Sequence, residues 1–279
     1  MRKIGICVVI LCLLPMMAGA VWEDNAILAS ALSMLETGNP FLVRYNQMTG
    51  KHVEARFPLG CPYFWGGRDA SRILETMRPW QASPSYYRTD RSYLYGLDCT
   101  GFTRWALENA GYATHPSNSD MLYLPENAVY TIPDTENLKG EELSQKLLPG
   151  DLLFLCHGGR SYHVALFAGT LLDYGYRVDT VPPELIPYLA YPLLIHSTVS
   201  SDYYERYETY IEDTLDWRVY PPDGGVIVSI LGVPRKAAIR HMLSPLDDEM
   251  DYFLLDGYKL MLYDDSRDEK RMWARWRVV

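Results

Sequence analysis

Leu97-Asp98-Cys99-Thr100-Gly101-Phe102-Thr103-Arg104-Trp105-Ala106-Leu107 sets a single cysteine, between an acid and a hydroxyl, at the head of an apolar segment of helical period. Phe102, Trp105, Ala106 and Ala110 recur at the i, i+3, i+4 spacing of a helix packed on a core. Gly96 marks a turn before the segment and Gly111 is placed to end it. Cys99 therefore belongs to a first helical turn, where unpaired N–H groups and the positive end of the dipole favour a thiolate. A cysteine on an apolar helix is also, ordinarily, a small buried hydrophobe. Local sequence leaves both readings open.

A cysteine hydrolase needs more than a thiol: a histidine to take its proton, a group to orient that histidine, and N–H donors for the oxyanion. Around Cys99 the chain offers candidates for each role. Leu152–Cys156 reads as a buried strand after the turn Leu148-Pro149-Gly150-Asp151, and His163-Val164-Ala165-Leu166-Phe167-Ala168-Gly169 as a second. His163 starts that strand, where its ring can be fixed across from the helix. Leu193–Thr198 is a third strand, and His196 near its end can pair with the other ring nitrogen of His163. His52, His115, His157 and His241 read as structural. Cys156, His157 and His163 lack the paired spacing of zinc ligands, so no metal or cofactor is expected.

Elsewhere the chain reads as additions to one α+β domain. Residues 1–20 have the form of a cleaved leader, with Arg2 and Lys3 before the apolar run Ile4–Leu14 and a small-residue site at Ala18-Gly19-Ala20. The run is short for a membrane span, and the mature chain is expected to be exported with no integral membrane segment. Over 21–55 we expect a helix capped by Asp24, then a hairpin around Met48-Thr49-Gly50-Lys51, forming a layer on the main domain. Gly60-Cys61-Pro62-Tyr63-Phe64-Trp65-Gly66-Gly67 stands three aromatics between glycines that permit close approach of a ligand. The main domain is expected over 56–234, with an insertion at 170–193. An extension over 235–279 carries Tyr252–Leu255 and Tyr258–Tyr263 as a hairpin turning at Asp256-Gly257.

Composition narrows the partners. With the leader gone the formal charge moves from −9 to −11, since Arg2 and Lys3 leave 24 basic against 35 acidic residues. That balance disfavours nucleic acid and anionic membranes and tolerates a substrate bearing amines. Cys61, Cys99 and Cys156 remain, so at most one disulfide can form. Two buried reduced thiols beside Cys99 are expected, because a domain of this size stands on its core.

Three separated blocks together resemble the NlpC-type cell-wall peptidases. They are Tyr63-Phe64-Trp65-Gly66-Gly67, then Gly96-Leu97-Asp98-Cys99-Thr100-Gly101-Phe102, then Leu148-Pro149-Gly150-Asp151-Leu152-Leu153-Phe154 leading to His163-Val164-Ala165-Leu166-Phe167. The likeness covers roughly Arg56 to Thr198. It implies a papain-like α+β fold in which the nucleophile helix packs on an antiparallel β-sheet. It also implies hydrolysis of peptidoglycan stem peptides, typically between γ-linked D-glutamate and a diamino acid. Cys99 matches the family nucleophile, His163 its base and His196 the third polar residue, across a gap lengthened by 170–193. Tyr63 matches an aromatic lining the site, and Asp98 an acid that pairs with a free N-terminal amine of the substrate. Trp65 and Thr100 complete the candidate substrate contacts, Thr100 replacing the usual serine with a narrower rotamer choice. No wall-binding repeat is recognisable, which leaves soluble muropeptides beside peptidoglycan as partners. Two other functions use the same residues: a wall-fragment binding module without turnover, and an amidase or acyltransferase.

Overall fold

The computed structural model describes residues 25–35, 39–50, 61–76, 92–112, 129–157, 160–199, 219–220, 224–233, 252–255, 258–263 and 270–276. The expected leader at 1–20 and its cleavage site fall outside these residues. Helix α1, Ala26–Ser33, is capped by Asn25, one residue beyond the expected Asp24; the Asn25 side chain accepts from Leu28 N–H at 3.0 Å. Ile27, Leu28 and Ala31 are its buried face.

The expected hairpin after α1 is instead a second helix, α2, Pro40–Thr49. The local chemistry explains the difference. Asn39 caps the helix by accepting from Leu42 N–H, and Pro40 sits in its first turn, where a missing N–H costs nothing. Phe41, Leu42 and Tyr45 are buried at helical spacing while Val43 is exposed. Gly50, expected as a hairpin turn, adopts φ +68° as the left-handed C-cap.

Helix α3, Cys99–Asn109, follows a small sheet in which β1, Leu74–Thr76, pairs antiparallel with β2, Ser92–Leu94. Strand β7, Val219–Tyr220, completes that sheet parallel to β2. Among the described residues the main sheet has eight strands. In chain order these are β3, Val129–Thr131; β4, Leu152–His157; β5, Arg160–Gly169; β6, Leu193–Val199; β8, Gly224–Leu231; β9, Tyr252–Leu255; β10, Tyr258–Tyr263; and β11, Lys270–Trp276. Their spatial order is β3-β11-β4-β5-β6-β8-β10-β9. The sheet is mixed where an antiparallel one was expected, because β8 and β10 run parallel. A direct hairpin cannot join parallel neighbours, so β9 lies between them in sequence and at the edge in space.

Both faces of this sheet are buried. Leu152, Phe154, Val164, Leu166, Ala168 and Ile195 join one core with Phe102, Ala106 and Leu107 of α3 and with residues of α1 and α2. Leu153, Leu155, Ala165, Phe167 and Leu194 join a second core with Trp273 and with Leu143 of the short helix α4, Gly140–Ser144. Two-sided burial is why β4 and β5 read as near-continuous apolar runs with no polar alternation. The insertion at 170–193 is packed too, burying Leu171, Val181 and Leu185, the last in a 3-10 helix over Pro183–Tyr188.

A boundary at residue 234 would cut through this sheet. Strands β9, β10 and β11 all come from the expected extension, and β11 lies between β3 and β4. Arg275 clamps it with a two-pronged ion pair to buried Asp151, both contacts at 2.7 Å. Trp273 is fully buried with its ring edge-on to Phe167. Trp273→Ala should therefore cost about 3–5 kcal/mol in urea unfolding with an unchanged denaturant slope. A loss below about 1 kcal/mol would mean that the C-terminal strand is peripheral to the fold.

Candidate active site

Cys99 is the first residue of α3, and the N-cap is Asp98. The Asp98 carboxylate accepts from Gly101 N–H at 2.6 Å with one oxygen and from Gly66 N–H at 3.1 Å with the other. One side chain thus starts the helix and ties it to the aromatic–glycine loop. Main-chain bonds add to the tie: Leu97 N–H donates to Pro62 O and Asp98 N–H to Gly67 O, both at 3.0 Å. The segments approach so closely that side chains are excluded. A Cβ on Gly96 would lie 1.7 Å from Pro62 O, and one on Gly101 2.0 Å from Gly67 O. From the other side, Ser197 Oγ on β6 donates to Leu97 O at 2.7 Å.

The thiol meets strand β5. It lies against the main chain at Val164, the residue after His163, and 3.9 Å from the Thr100 hydroxyl. Burial and then the Asp98 carboxylate push the Cys99 thiol up to about 11, against the lowering effect of those neighbours. The helix terminus expected to favour a thiolate is outweighed by burial, to which Asp98 adds a negative charge on the terminus where the thiol needs a positive one. At neutral pH the resting thiol keeps its proton. Cys61 and Cys156 form no disulfide, and burial pushes Cys61 up to about 12.

His163 sits where β5 breaks register with β4. Leu155 pairs with His163 and Cys156 with Ser161, so Tyr162 is an extra residue between them. His163 Nε2 lies 2.7 Å from His196 Nδ1, and His196 Nε2 lies 2.7 Å from Ser229 Oγ on β8. Tyr263 of β10 stacks on His163 at 6.0 Å between ring centres and stands edge-on to His196 at 5.8 Å. Burial pulls His163 down to about 4; burial and then its histidine neighbour hold His196 well below the ordinary range. Both rings are therefore neutral near pH 7. No hydrogen bond joins the thiol to either imidazole among the described residues.

Of the sequence-derived candidates, the fold gathers Cys99, Asp98 and Thr100 at the start of α3 and pairs His163 with His196. Tyr63 is half-buried, its N–H bonded to Gly224 O at 2.7 Å, while Trp65 is half-exposed on the same loop. Thr100 is buried, its hydroxyl 3.9 Å from the thiol. Among the described residues no group of three or more His, Cys, Asp or Glu side chains converges as a metal site, and no helix is long and apolar enough to cross a membrane. Ser229 and Tyr263 went unnoticed in the sequence. A lone hydroxyl inside the buried run Val226-Ile227-Val228-Ser229-Ile230-Leu231 was the available signal, since buried polar groups need partners. Nothing marked Tyr263 among so many tyrosines.

The neutral histidine pair has a consequence for stability. Above the unfolded value near 6.5 both the folded and unfolded chains hold His163 neutral. As pH falls, the unfolded chain takes up the proton first, so stability is lost from about 6.5 downward through about 4. The His163 contribution amounts to about 2 kcal/mol between pH 7 and pH 5. Urea unfolding at those two pH values should show a steeper loss for the native chain than for His163→Gln. Equal losses would mean that the ring is not held neutral.

Comparison with known proteins adds a family. Residues 60–173 match the model of the NlpC/P60 family, typically cysteine peptidases that act on the cell wall. Neither a curated protein nor a solved structure matched the chain. The matched segment contains the aromatic–glycine loop, the head of α3 with Cys99, and β4 and β5 with His163, while His196, Ser229 and Tyr263 lie beyond it. Over residues 60–173 the chain is thus similar to the NlpC/P60 family.

Proposed function

We propose that the chain is an exported cysteine endopeptidase that hydrolyses peptidoglycan stem peptides, in intact wall or as soluble muropeptides, at the γ-D-glutamyl–diamino acid bond. The observation that carries the reading is the juxtaposition of two groups on one strand. The Cys99 thiol lies against the main chain at Val164, and one residue earlier His163 is held by His196 at 2.7 Å. With Nε2 engaged by His196, His163 keeps Nδ1 for the thiol.

In this mechanism the substrate's arrival brings Nδ1 of His163 into hydrogen-bond range of the thiol, a tightening common on passing from the free enzyme to the complex. Sγ attacks the scissile carbonyl as its proton moves to Nδ1. The main-chain N–H of Cys99 at the head of α3 receives the oxyanion. Collapse expels the diamino-acid amine, which takes the proton from His163, and leaves a thioester on Cys99. Water, deprotonated by the same nitrogen, releases the D-glutamyl product and restores the thiol. Because thiol and imidazole both rest neutral, charge separation is confined to the occupied site.

Asp98 carries the substrate's free amine in this reading. Each of its oxygens already accepts one main-chain N–H, and each retains capacity for another donor. Burial raises the Asp98 carboxyl, so an arriving ammonium would find a partner whose charge is undersolvated. Trp65 offers an exposed aromatic face beside the Gly66–Asp98 bond, and Tyr63 a half-buried wall.

The test is incubation of the mature protein with defined stem peptides and identification of products by mass. Fragments with a new diamino-acid amine are expected, with kcat/KM falling at least about a thousandfold in Cys99→Ala. Undiminished cleavage by that variant would sink the reading. Binding without cleavage in the native protein would favour a wall-fragment binding module, and products joined to an added amine would favour acyl transfer.

A further inference from the structure

Ser229 lies outside the family-matched segment and is 1% exposed, in a strand whose other side chains are apolar. Across the β6–β8 ladder Leu194 pairs with Ser229 and His196 with Ile227. His196 and Ser229 are thus diagonal neighbours on one face. The ladder therefore fixes the Ser229 hydroxyl against His196 Nε2 at 2.7 Å. With the His163–His196 contact, also 2.7 Å, it forms a buried chain of three polar groups closed over by Tyr263.

Proton counting along this chain assigns the hydroxyl a task. A neutral His163 can sit in it two ways. In one, Ser229 donates to His196 Nε2, and His196 Nδ1–H donates to His163 Nε2. In the other every proton is shifted, so His163 Nε2–H donates to His196 Nδ1 and His196 Nε2–H donates to Ser229. Once His163 has taken the thiol proton, both of its nitrogens carry hydrogen and only the second arrangement survives. His196 Nδ1 must then be a lone pair, the His196 proton must be on Nε2, and the group beyond must accept it. A hydroxyl can donate in one arrangement and accept in the other. A hydrocarbon there would strand a buried N–H in the protonated state alone.

We propose that Ser229 is a positioning residue for the reaction: its hydroxyl accepts the His196 Nε2 proton whenever His163 is protonated, and so stabilises the imidazolium formed during attack. The inference rests on His163 being the base of the reaction proposed above. It requires no transfer along the chain: starting from the second arrangement, whose His163 Nδ1 is unprotonated, the thiol proton adds to Nδ1 and the other protons stay where they are. Groups facing the ring pair are the Cys99 thiol next to β5, Tyr263 on β10 and Ser229 on β8.

Ser229→Thr and Ser229→Val test this as a matched pair. Both add a branch suited to a strand, and they differ in the hydroxyl alone. Turnover of a defined stem peptide should give a kcat for Ser229→Thr close to the native value. For Ser229→Val it should be lower by about 10- to 100-fold with KM within about twofold, less than removal of the base itself would cost. Independently of turnover, ¹⁵N-histidine NMR of the two variants follows proton uptake by the ring pair. The midpoint should lie lower in Ser229→Val, and the protonated pair in Ser229→Thr should carry hydrogen on His196 Nε2. Equal kcat and equal midpoints in the two variants overturn the proposal. If no stem peptide is cleaved even by the native protein, the peptidase reading fails. The NMR midpoints then decide the role of Ser229 on their own.

Discussion

Close contact between main chains at the head of α3 is the constraint on which the site depends. Three segments converge there with no room for side chains at Gly96 or Gly101, and the Asp98 carboxylate bonds across the junction to Gly66 and Gly101. An ordinary helix start would leave its first N–H groups to solvent and its orientation to packing alone. Here the cap also reaches a loop 32 residues away in sequence, so the position of Cys99 is set by covalent geometry and short hydrogen bonds together. The same carboxylate opposes ionisation of the thiol beside it. Placement is thus obtained at the expense of reactivity at rest. A nucleophile kept protonated until its substrate has entered is also protected from oxidation, because the thiolate is the species that reacts.

The second requirement is a stiff platform for the histidines. His163 and His196 lie on adjacent strands of a sheet covered on both faces, with apolar cores on either side and β8 and β10 supplying Ser229 and Tyr263. Burial keeps the rings neutral and the hydrogen bonds short. It also makes each ring dependent on its partner, since a desolvated imidazole nitrogen without one is costly. The extra residue Tyr162 lets β5 leave the ladder with β4 at the position where His163 must face its partners.

Legibility in the sequence followed the range of the forces involved. The helix at Cys99, its stop at Gly111, and strands β4, β5, β6 and β8 rest on short-range pattern, and all could be read from apolar runs and turn residues. The hairpin expected around Met48–Lys51 failed because Gly50 serves two grammars: a glycine after a polar residue ends a helix as readily as it turns a hairpin. Burial of Phe41, Leu42 and Tyr45 settled the choice, and that is a tertiary fact. The parallel β8–β10 pair and the insertion of β11 between β3 and β4 are long-range pairings with no local signature. In the site, Cys99 and His163 stood out through motif order. Ser229 was marked only by being polar in an apolar run. The raised Cys99 thiol was hidden because a helix terminus and an adjacent acid pull in opposite directions, and burial, a tertiary property, decides between them.

The location of β11 bears on when the protein becomes competent. Its Arg275 closes on Asp151, 124 positions earlier in the chain, and its ladder with β4 lies one strand from β5 and His163. Until β11 has emerged from synthesis, β4 has an open edge and the second core lacks Trp273. A partly made chain can form α3 and its cap from local contacts. It cannot finish the sheet that carries the histidines, because that ladder waits on a long loop closure. Completion of the platform is in this way coupled to the arrival of β11, and a chain lacking that strand would form the head of α3 without a settled histidine pair.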